Sequence, residues 1–354
     1  MAVMKSAPVS VAIIGAGFIA DYHVNGLRSA GGAVVDALVG RRAETTARRA
    51  AELSIPRWET DYRKVLADPA IDAVIVATPD DLHSAIACEA LAADKAVLLQ
   101  KPMALDAMEC RGILAAAAAS AAPLTVSFMH RYFPEVAWLR RLLDEGGLGA
   151  IHMIRIRNAT PGADWNDWFY AANRVSGGVV MQLGVHGIDL CRHLFGPIVD
   201  VSARMRTARP QRRLKDGRTV RSRLEDNALA SYHLASGAMV THEMSYTEVG
   251  GCDRFRLEVY GEHGSAWLRT GQGAAALLAP SITGRDEWVN AEVPAEPLGA
   301  AHHRHWIDIV KGDAPRDDTP EAGLASIEVA EATYRSALSE RRETLGPARK
   351  GERS

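Results

Sequence analysis

The stretch Val9-Ser10-Val11-Ala12-Ile13-Ile14-Gly15-Ala16-Gly17-Phe18-Ile19-Ala20 decides the fold. Its first six residues form an apolar run the length of one buried strand. Gly15, Gly17 and Ala20 then stand in the spacing G-x-G-x-x-A, and a helical pattern runs from Phe18 to Ala30. Strand, glycine turn and helix start in this order suit a dinucleotide. Gly15 makes the tight turn, Gly17 lets backbone approach a pyrophosphate, and Ala20 lets the helix pack closely on the strand. The helix start adds N–H groups and a positive dipole end. Cofactor contacts are therefore expected at Gly15, Gly17, Phe18 and Ile19. The alternative is a tight strand-to-helix turn that binds nothing.

Outward from this stretch, 354 residues predict two domains. A chain 47% hydrophobic and 24% charged is a folded globular protein, not a disordered one. A net charge of −2 supplies no field for nucleic acid or membrane partners. Cys88, Cys110, Cys191 and Cys252 are widely spaced, with no C-x-x-C. They read as reduced thiols of a cytoplasmic protein, not as a metal site or disulfide framework. No apolar run approaches about 18 residues, and no signal peptide is expected.

Strands and helices alternate from Val9 to Phe128. Apolar runs at Val9–Ile14, Ala33–Val39, Ala73–Ala77, Ala96–Leu99 and Leu124–Phe128 are separated by helical patterns at Glu44–Leu53, Tyr62–Leu66, Leu82–Ala92 and Asp106–Ala119. Such alternation predicts an α/β, doubly wound parallel sheet with its ligand at the strand C-terminal ends. The second strand ends Val39-Gly40-Arg41-Arg42, and its Asp36 lies too early to bond a ribose. Arg41 and Arg42 favour a 2′-phosphate, hence NADP, with NAD as the alternative. Thr78-Pro79 forms an extended turn at the ligand end of the sheet, with His83 in the next helical turn. Gln100-Lys101-Pro102 puts a lysine at a strand end, where it can hold or donate a proton.

Together these motifs resemble the Gfo/Idh/MocA oxidoreductases, the glucose-fructose oxidoreductase and inositol dehydrogenase family. The matching residues are Gly15 to Ala20, Ala77-Thr78-Pro79 with His83, Gln100-Lys101-Pro102, Gly177-Gly178 and Gly184-Val185-His186-Gly187-Ile188-Asp189. The resemblance implies an N-terminal Rossmann domain (1–128), a C-terminal α+β domain with a large, mainly antiparallel sheet (129–340), and a polar tail (341–354). It also implies nicotinamide cofactor bound at Thr78, Pro79, His83, Gln100 and Lys101, sugar-like or polyol substrates, and dimers or tetramers through the C-terminal sheet. It places His186 beside Lys101. Two positions depart from the family: Gln100 replaces a usual Glu, and Gln182 a frequent Asp. Gln keeps hydrogen bonding but cannot ionise.

In the second half, Met129 to Pro134 connects to a helix ending near Glu145. Positions 182, 186 and 189 are i, i+4 and i+7, so one helical face is expected to present Gln182, His186 and Asp189. His186 is the candidate general base and Lys101 the group that bonds the reacting oxygen, with Gln182 positioning. Trp165, Arg131 and Arg174 are expected at the substrate. With Arg157, the two arginines suggest tolerance of an acid-bearing sugar. Nine Lys/Arg between Arg204 and Arg223, around Asp216-Gly217, read as a solvated β-hairpin. His302, His303 and His305 lack a suitably spaced acidic or cysteine partner, so no metal is expected. Two rival functions remain at this level: an NAD-dependent lyase or glycoside-cleaving enzyme with transient redox, and a non-catalytic NAD(P)-binding sensor.

Overall fold

Six parallel strands pair in the order β3-β2-β1-β4-β5-β6. They are β1 (Val9–Ile14), β2 (Ala33–Val39), β3 (Arg57–Glu59), β4 (Ala73–Val76), β5 (Ala96–Leu99) and β6 (Leu124–Val126). The computed structural model describes residues 7–249, 254–269 and 274–346; Cys252 and the tail beyond 346 lie outside them. The connecting helices are α1 (Ile19–Ala30), α2 (Ala43–Glu52), α3 (Tyr62–Leu66), α4 (His83–Ala92) and α5 (Ala107–Ala119). The central strands are buried on both faces, as continuous apolar runs require. The order reverses between β1 and β4, the point where doubly wound sheets open a crevice for ligand. β3 has no apolar run to announce it; Arg57 and Trp58 are exposed at the sheet edge.

The chain divides into two compact units, Met1–Met129 with Glu296–Leu324, and His130–Ala295 with Ala325–Ser354. Residues 296–324, expected with the second domain, group with the first. The reason is packing. In α9 (Ala300–Lys311), Trp306 and Ile307 join Val24 and Leu27 of α1 in the core under the parallel sheet.

The second unit begins with α6 (Pro134–Asp144) and β7 (Ile151–Ala159), and carries α7 (Val185–Phe195). Its strands are β8 (Ile198–Arg206), β9 (Gln211–Arg213), β10 (Thr219–Arg221), β11 (Asn227–Leu234), β12 (Met239–Ser245), β13 (Phe255–Gly261), β14 (Ser265–Arg269), β15 (Ala274–Leu278), β16 (Val289–Asn290) and β17 (Glu343–Thr344). Short α8 (Pro280–Thr283) lies among them, and α10 (Thr319–Ser339) contributes residues to both units. Among the described residues nine strands form one sheet, β16-β15-β14-β13-β7-β12-β11-β8-β17, in which only β7 and β12 pair in parallel. β11 alternates strictly between buried and exposed residues, so one face of the sheet packs and the other is open. β9 and β10 pair as the expected basic hairpin. Arg212 departs from the solvated reading. It is buried, with Asp226 at 2.8 Å and the Tyr246 carbonyl at 2.7 Å.

Candidate active site

In the first unit, the site residues lie where parallel strands end. Gly15 leaves β1 with φ 128°, and any Cβ there would overlap the Ala77 carbonyl after β4. A Cβ on Gly17, by contrast, would meet nothing within 4 Å, leaving an open cradle beside the start of α1. No side chain caps that helix. Thr78 keeps its hydroxyl buried and without a hydrogen-bond partner. An open glycine turn, an uncapped helix start and an orphan hydroxyl fit a dinucleotide phosphate group. Phe18 is exposed and Ile19 half-buried beside them.

Arg41 and Arg42 are exposed at the end of β2, while Asp36 in mid-strand is ion-paired with Arg57. Pro79 follows Thr78 at the end of β4 and is half-buried. His83 is buried and braces two turns. Its Nδ1 lies 2.9 Å from the Pro102 carbonyl and its Nε2 3.0 Å from the Thr78 carbonyl. The ring thus ties the Thr78-Pro79 turn to the Lys101-Pro102 turn. On the other side of Lys101, Gln100 is buried and its amide Nε2 reaches His23 at 2.7 Å and Ser127 at 3.1 Å. The half-buried Lys101 sits between two anchored residues. His23 was not among the expected site residues. Its signal was present: Ala20, His23, Val24 and Leu27 share the buried stripe of α1.

In the second unit, His186 is buried on α7, and its ring stacks on that of His130 at 4.2 Å between centroids and 6° between planes. His130 packs in turn on Phe133 and Phe255. The next residue, Arg131, holds Asp189 through Nε at 2.9 Å and Nη2 at 2.5 Å, with both side chains nearly inaccessible. Two consecutive residues thus grip the helix at positions 186 and 189. This differs from the expectation that Arg131 faces substrate: its guanidinium is committed to Asp189. Arg157 is likewise balanced, by Glu248 and Glu243. The acid-bearing substrate loses two of its three supports, because those charges are already neutralised.

Gln182 is buried in a π-helical turn, Val180–Gly184, ahead of α7. A π turn holds more residues than an α turn, so the even i, i+4, i+7 spacing does not carry through it. Glu225 receives the Gly178 and Val180 N–H groups and the Tyr334 hydroxyl at the start of this segment. Burial raises its carboxyl above the usual range despite those donors. Arg174 is half-buried, and Trp165 is exposed with its ring 5.6 Å from that of Phe169. The histidines of α9 have bonding roles: His302 meets the Tyr22 hydroxyl, and His303 meets His23. Among the described residues, no three His, Cys, Asp or Glu gather to hold a metal ion.

A family model described as "Oxidoreductase family, NAD-binding Rossmann fold" matches residues 9–128, and one for the GFO/IDH/MocA C-terminal domain matches residues 136–267. The chain belongs to the GFO/IDH/MocA oxidoreductase family. It is 32% identical over 268 residues to the scyllo-inositol 2-dehydrogenase (NAD(+)) of Bacillus subtilis (strain 168), covering 74% of each chain. It is 26% identical over 350 residues to the D-apiose dehydrogenase of Paraburkholderia graminis, covering 92% of this chain and 87% of that one. A levoglucosan dehydrogenase in complex with NADH and L-sorbose shares the fold, with a TM-score of 0.88 at 21% identity over 96% of this chain and all of that one (100%). The first unit is accordingly an NAD-binding Rossmann domain, and the protein is an oxidoreductase.

Proposed function

We propose that this GFO/IDH/MocA oxidoreductase is a dehydrogenase of a sugar or polyol. The observation that carries the reading is Lys101, fixed on both sides at the end of β5, on the sheet edge that also bears the open Gly15–Gly17 turn. The bound nicotinamide would supply the hydride acceptor or donor. Lys101 bonds the oxygen on the reacting carbon and steadies the negative charge that develops there. His186 takes the hydroxyl proton in oxidation and returns it in reduction. Gln182 positions substrate, with Trp165 and Arg174 as further contacts. Relatives named as inositol, levoglucosan and apiose dehydrogenases support the carbohydrate class.

NADP joins NAD in this reading, because Arg41 and Arg42 are exposed where the ribose would lie and the strand's own acid is held by Arg57. Assembly into dimers or tetramers through the open face of the nine-stranded sheet belongs to the same reading. It is supported by Leu229 and Met239, which are apolar and exposed there. Among the described residues no helix is long and apolar enough to cross a membrane. A cytoplasmic setting belongs to the same reading, which takes Cys88, Cys110 and Cys191 as reduced thiols. The test is turnover of purified protein with NAD or NADP across sugars, polyols and uronates. Reduced nicotinamide should form with a neutral sugar or polyol. Product formation without net nicotinamide reduction would overturn the reading in favour of a transient-redox enzyme.

A further inference from the structure

The amide of Gln100 ends a hydrogen-bond chain whose direction the backbone fixes. His303 sits on α9 with Nδ1 2.7 Å from the Gly299 carbonyl. A carbonyl only accepts, so in the neutral ring His303 Nδ1 carries the proton and its Nε2 is a lone pair. That lone pair lies 2.9 Å from His23 Nδ1, which must therefore donate. His23 Nε2 is then an acceptor, and it lies 2.7 Å from Gln100 Nε2. The second amide hydrogen of Gln100 goes to Ser127 Oγ at 3.1 Å. Four bonds are served by four hydrogens, two from the amide and one from each neutral ring. Turning the amide over would leave two lone pairs facing each other somewhere along the chain, because the Gly299 end cannot reverse.

We infer that Gln100, His23 and His303 form a neutral, one-directional relay that positions Lys101, and that position 100 must donate for the relay to close. Gln100 is a positioning residue here, not a catalytic one. The relay joins the end of β5 to α1 and α9, while His83 holds Pro102 from the other side. The buried surroundings agree. Burial and the neighbouring rings of His303 and His302 hold His23 well below the usual histidine range, and burial lowers His303 to about 4. The groups facing His23 are Tyr22 on its own helix, His302 and His303 on α9, and Gln100 at the strand end. His305, which bears on His302, is itself 3.5 Å from Asp317.

A carboxylate at position 100 breaks the count. Glu brings no hydrogen; even with the Ser127 hydroxyl turned to donate, three hydrogens serve four bonds. One added proton on His23 restores the set, since an imidazolium donates from both nitrogens. The Gln100→Glu protein should therefore be less stable than the wild type at pH 8. The gap should close by about tenfold in the unfolding equilibrium per pH unit as pH falls toward 6, the slope of one extra bound proton in the native state. A gap that does not change with pH overturns the relay. Imidazole nitrogen NMR on the unmodified full chain tests it without any variant: at pH 7 both His23 and His303 should be neutral with the proton on Nδ1. An imidazolium or an Nε2–H tautomer at either ring overturns it.

The positioning role rests on the proposed dehydrogenase reading and is measured separately. Relative to wild type, Gln100→Glu should lower kcat at pH 8 and recover toward pH 6. A kcat ratio that stays flat while the stability gap moves overturns positioning but leaves the relay. Absence of turnover in the wild type speaks only against the proposed function, because the NMR and unfolding measurements do not depend on it.

Discussion

Lys101 and His186 ask different things of their surroundings. In the proposed mechanism Lys101 needs its backbone held; the Gln100 side chain does this from one side by reaching His23, and the His83 ring from the other by reaching the Pro102 carbonyl. His186 needs its ring plane fixed, and the face-to-face ring of His130 does this. Replacing either with a residue that cannot move a proton, His186→Asn or Lys101→Met, should lower kcat by about 10²- to 10⁴-fold. Cofactor affinity of His186→Asn, read by fluorescence titration, should stay near that of the wild type. Full turnover in both variants would rule out the proposed roles. Arg131 illustrates what residue type alone does not reveal. An arginine near a candidate site looks like an anion binder, yet its bidentate bond to Asp189 is buried, and breaking such a pair costs about 3–5 kcal/mol.

At the scale of single elements, α1 is the most informative. It carries Gly26 in its interior, where glycine ordinarily costs about 1 kcal/mol relative to alanine. A Cβ at Gly26 would overlap the His303 ring, so the small residue makes room for the relay. Gly26→Ala should therefore destabilise the protein by about 1–3 kcal/mol, against the sign expected from helix propensity. Chemical denaturation measures this, and a stabilised variant would show that His303 has room to move. The histidine at 23 serves the same contact from the same face. The segment before α7 gives the opposite lesson. An even helical spacing groups Gln182 with His186 and Asp189, but the π turn at 180–184 interrupts it, and Glu225 caps that turn from far along the chain.

For the molecule as a whole, buried neutral histidines predict acid lability. Burial pushes His303 down to about 4 and His242 to about 3, and holds His23 and His302 well below the usual range. The native state then binds fewer protons than the unfolded state, so stability is complete above about pH 6.5 and falls as pH drops below it. Each such ring removes up to about 1.4 kcal/mol per pH unit until its folded value is reached. Denaturation midpoints at pH 7.5 and 5.5 should show a clear loss at the lower pH; equal midpoints would mean these rings carry protons when folded. The sequence alone determined the parallel sheet, the glycine turn, the lysine at a strand end and the basic hairpin, because each is written in local periodicity or adjacent residues. Tertiary structure decided the rest. It put α9 into the first unit, stacked His130 on His186, paired Arg131 with Asp189 and oriented the Gln100 amide. Those contacts join residues 56 to 280 positions apart. Their geometry depends on which buried atoms need a donor, and no local pattern carries that information.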